Sequence, residues 1–167
     1  MLLWEYIDAK HLPAIENFEC TDEPSIKTYL IEEALKFHEM NLAKTKLFFD
    51  RENNLVGFLT LYNDMMQIGR KKRKKHGLSE LPSYKWYPAI KLHYMGVDSR
   101  FRNKGYGRYI LLSALTTAKE LSEATGCLFL TVESLMSAVS FYERHEFDRL
   151  SINGKYLNMF FKVNELY

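Results

Sequence analysis

Cysteine is scarce in this chain, with two residues, Cys20 and Cys127, among 167. They stand far apart, in neither a metal-binding nor a redox spacing. That argues against a disulfide framework and fits a reducing, cytoplasmic compartment. Long apolar runs are missing too, and none approaches the ~20 residues of a membrane-spanning helix. The first ten residues, MLLWEYIDAK, have no basic region and meet Glu5 and Asp8 too early for a secretory signal. Neither an internal repeat nor a linker is visible, so one domain over 1–167 is expected. No cluster of His, Cys and carboxylates calls for a metal. Two phosphate-binding signatures are absent as well: there is no G-x-x-x-x-G-K-[ST], and Ile110 stands where the third glycine of G-x-G-x-x-G would fall.

Charge of either sign is nearly balanced, at +2 overall. The average hides one block. Arg70–Lys75 holds six of the 23 basic residues, so the other 17 face 21 acidic ones and the body carries −4. Three readings are open for the block: a solvated loop, contact with an RNA backbone, or contact with an acidic protein. Tyr84, Trp86 and Tyr87 follow closely and can stack on bases or cover a sheet edge. With 47% apolar and 14% aromatic residues there is ample material for a core.

Residues 2–7 read as a strand and 11–18 as a short helix. A second helix is expected over 24–42, capped by Asp22 with Pro24 just inside its start. Residues 46–49 and 55–62 form a hairpin with a polar tip, and Gly57 inside it marks a bulge or a close backbone approach. Residues 63–88 read as a long loop, with room for a short helix. Then come a central strand over 89–97, a helix over 107–125 ended by Gly126, a buried strand over 127–132 and a helix over 137–145. A short strand starts at Phe147, and a last strand over 156–163 follows the Asn153-Gly154 turn. Hairpins early and strand–helix–strand units later predict an α/β (α+β) fold, a mixed sheet with helices on both faces.

Residues 91–112 combine a strand, a basic glycine loop and the first turn of a helix. Arg100, Arg102, Lys104 and Arg108 surround Gly105 and Gly107. The first N–H groups of a helix lack intrahelical partners and carry the positive end of its dipole. Glycines let a phosphate approach the backbone closely. The stretch therefore reads as an anion site that favours a pyrophosphate or similar group, beside the plainer reading of a glycine turn with solvated cations.

Two motifs give that anion an identity. Arg102-Asn103-Lys104-Gly105-Tyr106-Gly107 is an R-x-x-G-x-G after a strand. One strand later comes Ala138-Val139-Ser140-Phe141-Tyr142-Glu143-Arg144-His145-Glu146-Phe147. The pair resembles the GNAT acetyltransferase family, whose A-x-x-F-Y-E-[RK]-x-G-F motif follows the pyrophosphate loop. Glu146 departs from that pattern, standing where the family has Gly. Leu135 stands where many members have Asn, so no ligand role is assigned to it.

The resemblance implies a GNAT-like, mostly antiparallel sheet and an N-acetyltransferase that moves the acetyl group of acetyl-CoA to a primary amine. It places the pyrophosphate on the backbone of Arg102, Asn103, Lys104, Gly105, Tyr106, Gly107 and Arg108. The pantetheine falls along Met95, Gly96 and Val97, as an added strand would. It makes Tyr142 the general acid that protonates the leaving coenzyme A thiolate. His93 and Glu133 are candidates for the general base. The acceptor is a small-molecule or protein amine. Residues 17–20, and 88–92 running into 96–98, resemble more narrowly the toxins of this family that acetylate aminoacyl-tRNA and block translation, and tRNA would then meet Arg70–Lys75. The remaining alternative is a non-enzymatic acetyl-CoA-binding regulatory module. Many relatives dimerise, so a homodimer is a further expectation.

Overall fold

A computed structural model of the protein describes residues 2–166. Seven strands and six α-helices alternate along it. They are β1 (Leu3–Tyr6), α1 (Leu12–Glu16), α2 (Pro24–Glu32), α3 (Ala34–Glu39), β2 (Lys44–Phe49), β3 (Leu55–Met66), α4 (Arg70–Lys75), β4 (Tyr87–Val97), α5 (Tyr106–Ala124), β5 (Phe129–Leu135), α6 (Val139–Glu143), β6 (Asp148–Asn153) and β7 (Tyr156–Lys162). The strands form one mixed, mostly antiparallel sheet in the order β1-β2-β3-β4-β5-β7-β6, which bears out the expected fold class. Packing divides the chain into two units: residues 1–62 with 92–114, and residues 63–91 with 115–167.

In the first unit, β1 pairs antiparallel with β2, and β2 with β3. Leu47 on β2 and Phe58 on β3 join Phe18, Leu30 and Ala34 in its core. Gly57 and Gly96 permit a close approach inside it. A Cβ at Gly57 would stand 2.6 Å from the Gly96 carbonyl oxygen, so the close-approach reading of Gly57 holds.

The expected helix over 24–42 is two helices. Glu33 leaves helical geometry at φ −123° and separates α2 from α3. Asp22 does not cap α2. Glu23 occupies that place without a side-chain cap, and Asp22 is engaged elsewhere.

In the second unit, β7 pairs antiparallel with both β5 and β6. Phe129, Phe160, Met66, Ile68, Leu78 and Tyr87 form its core. The region expected as a long loop is organised: β3 runs on to Met66, and the six basic residues are a helix, α4. Arg73 accounts for this. It is buried, and its guanidinium donates to the Leu81 and Pro82 carbonyls, to Tyr87 Oη at 2.6 Å and to Ser83 Oγ at 3.0 Å. Lys72 donates to the Leu150 carbonyl at 2.6 Å. Tyr87 is core, whereas Tyr84 and Trp86 are exposed.

Candidate active site

The glycine loop lies in the first unit, between the end of β4 and the start of α5. Asn103 and Gly105 both take left-handed backbone conformations, at φ 60° and 80°. Glycine adopts that region freely and asparagine tolerates it. Alternation of left- and right-handed residues turns successive N–H groups to one side and forms an anion-binding concavity. Asn103, Lys104, Gly105 and Arg108 are exposed. The residues present therefore suit a pyrophosphate.

The loop is held by a latch that the sequence did not reveal. Asp98 is fully buried and accepts from the Glu19 backbone N–H at 3.0 Å, the Arg100 backbone N–H at 2.9 Å and both Arg100 Nε and Nη2. Burial by itself would raise the Asp98 pKa; the hydrogen bonds from Arg100 and Glu19, with the Arg100 charge, hold it below the usual carboxylate range. Arg100 also donates to the Asn17 carbonyl at 2.7 Å, and the Thr21 backbone N–H donates to Ser99 Oγ at 3.1 Å. Arg102 Nη2 donates to Asp22 Oδ1 at 2.6 Å, and this bond lowers the Asp22 pKa. Residues 98–102 are thereby tied to residues 17–22.

Met95, Gly96 and Val97 form the last three residues of β4. Gly96 has a packing reason of its own. A Cβ there would meet Ile26 Cγ2 at 2.7 Å and the Phe58 ring at 3.0 Å. His93, on the same strand, is half-buried among Tyr29, Tyr62 and Tyr94, whose ring centroids lie 5.2, 4.9 and 4.6 Å away.

Tyr142 and Glu133 lie in the second unit. Tyr142 sits on α6, buried against Phe141 and Phe147. Burial alone pushes its phenol well above the ordinary value, so it keeps its proton at neutral pH. Glu133 on β5 is exposed and accepts from Lys91 Nζ at 2.7 Å. The structure thus groups the loop residues, Met95–Val97 and His93 in one unit and Tyr142 and Glu133 in the other. Sequence reasoning missed the role of Asp98, and it read Asp22 as a helix cap and Arg100 as a loop cation where the structure makes them parts of the latch. The one local signal was Asp98 standing two residues before Arg100.

The acetyltransferase (GNAT) family model matches residues 12–147, and the chain belongs to that family. It is, by that membership, an acetyltransferase. No curated protein sequence matches it. Among solved structures it is similar to AtaT complexed with acetyl-methionyl-tRNAfMet, at 21% identity and TM-score 0.82, over 99% of this chain and 97% of that one. It is also similar to a tyrosine-to-phenylalanine mutant of KacT, at 22% identity and TM-score 0.82, over 99% of each chain. A third likeness is to AtaTR bound with acetyl-CoA, at 21% identity and TM-score 0.79, over 98% and 94%. At such identities the likeness is one of fold.

Proposed function

We propose that residues 1–167 form a single N-acetyltransferase domain that transfers the acetyl group of acetyl-CoA to a primary amine by direct attack. The observation that supports this reading is the basic loop ahead of α5, with Asn103 and Gly105 left-handed and Lys104 and Arg108 exposed; the backbone from Arg102 to Arg108 is the proposed pyrophosphate cradle. Met95, Gly96 and Val97 offer strand-end backbone to the pantetheine amides.

The amine nitrogen forms a bond to the acetyl carbon and the C–S bond breaks; the leaving thiolate takes a proton from Tyr142, and the proton shed by the attacking nitrogen restores the phenol. Burial keeps that proton on the phenol, so Tyr142 enters as donor. The ammonium of the acceptor must first lose a proton, and His93 and Glu133 are the candidates to receive it.

Coenzyme A release on a panel of amines tests the reading. Tyr142→Phe should lower kcat about 10²-fold or more with acetyl-CoA binding unchanged. His93→Phe and Glu133→Gln, assayed together, should show the base as loss of the acidic limb of the pH–rate profile. Wild type and Tyr142→Phe equally silent on every amine, with coenzyme A still bound, would leave the regulatory-module alternative.

A second reading is favoured by the fold likeness to AtaT with acetyl-methionyl-tRNAfMet and by the surface of α4. Here the acceptor is the amino group of aminoacyl-tRNA. Arg70, Lys71, Lys74 and Lys75 are exposed on α4, and Tyr84 and Trp86 are exposed further along the chain. Arg73 is excluded from the RNA surface by its burial. Cell-free translation with charged tRNA should fall when the protein and acetyl-CoA are added, and full translation would reject this reading. Replacing those four cations by Gln should flatten the salt dependence of tRNA binding.

A further inference from the structure

One sheet face in the second unit carries a row of polar side chains. Strand pairing sets Glu133 opposite Asn158 and Asn158 opposite Ser151. Directly opposed residues project on one face. Lys91 Nζ reaches Glu133 at 2.7 Å, and Asn158 Nδ2 donates to Ser151 Oγ at 3.1 Å. Thr131, two residues before Glu133 and so on the same face, donates its hydroxyl to Asp64 Oδ2 at 2.9 Å. Further along this face, Phe129 and Phe160 are packed under Met66, Ile68, Leu78 and Tyr87. Over the polar row there is instead a cavity of about 340 Å³, lined by Asp64, Lys91, Thr131, Glu133, Ser151 and Asn158.

Its chemistry restricts the ligand. Two carboxylates against one ammonium leave an excess of one negative charge, which disfavours an anion. The hydroxyls and the Asn158 amide disfavour a wholly apolar guest, because their hydrogen bonds to water would be lost without replacement. Asp64 Oδ1 takes the Met65 N–H at 2.8 Å and Oδ2 takes the Thr131 hydroxyl. A carboxylate oxygen has two lone-pair directions, so each still has one to offer.

We infer that this groove binds a primary ammonium carried on a small, hydrogen-bonding body. Asp64 and Glu133 take the ammonium, while Asn158 and Ser151 take the polar body. As the acceptor side of the transfer, the assignment rests on the acetyltransferase reading; as a binding site it stands without it.

The test is an NMR titration of the labelled full chain, free of acetyl-CoA, with glycinamide and with propionamide, which is of similar size but lacks the charge. Glycinamide should give saturable shifts at the amides of Thr131, Glu133 and Asn158, and propionamide none. Asp64→Asn and Asn158→Leu should each weaken glycinamide binding about tenfold. The acetyl-CoA dissociation constant, measured in parallel, should stay at its wild-type value and reports on folding. Absent or unsaturable shifts, equal binding of propionamide, or unchanged affinity in both variants would overturn the assignment. Glycinamide binding without coenzyme A release on any amine keeps the site and removes the transferase reading. Turnover without glycinamide binding removes the site alone.

Discussion

Arg73 shows how one residue can look like part of a charge run and act as a core anchor. Arg70, Lys71, Lys74 and Lys75 on α4 are exposed, while the Arg73 guanidinium collects two carbonyls and two hydroxyls from residues 81–87. Removing it leaves several of these groups buried and unpaired, at a cost of roughly 2–3 kcal/mol. Arg73→Met should therefore lower Tm by about 5–10 °C in a thermal melt. Gln at Arg70, Lys71, Lys74 and Lys75 should leave Tm nearly unchanged. Equal melting of the two proteins would contradict the anchor role. Glu146 is a second residue whose conformation explains its place. It has φ 66°, in the left-handed region that glycine adopts without cost, at the position where the family pattern has glycine.

At the scale of elements, the turn after β4 is coupled to the segment before α2. Asp98 joins the Glu19 backbone to Arg100, and Arg102 joins Asp22. A carboxylate whose folded pKa is depressed contributes stability that is fully present above its unfolded pKa. That stability is lost as pH falls through the folded value. Asp98→Asn should thus be less stable than wild type in urea by a constant margin between about pH 6 and 8. The margin should shrink below about pH 4, where the wild-type carboxylate also protonates. A margin that does not change with pH would show that the latch owes nothing to the Asp98 charge. The same coupling gives the anion loop its shape. The chain just before Asn103 and Gly105 is tied down at Ser99, Arg100 and Arg102.

For the whole molecule, two distances along the chain decide what was legible. The hairpin of β2 and β3, the strand β4, the helix α5 and its preceding loop depend on neighbours within a few residues, and their patterns could be read directly. So could the Tyr142 motif, whose order after the glycine loop identified the family. The break at Glu33 could not be read, because helical spacing continues across it. Nor could α4, because a run of six cations has no apolar stripe to signal a helix, and what holds it is the Arg73 guanidinium reaching Leu81, Pro82, Ser83 and Tyr87. Met95–Val97 were legible as a strand end. The packing need for Gly96 was not, because Ile26 and Phe58 come from other elements.

By itself the sequence determined the order of the strands and of most helices, the anion loop and the acetyltransferase family, since each rests on local spacing or on motifs carried in linear order. Only the tertiary structure decided which charges are available. It buried Arg73, tied Arg102 to Asp22 and set Lys91, Glu133, Asn158 and Ser151 in one row. The physical reason is that a charge acts through its partners, and these partners lie on segments that meet only when the chain folds.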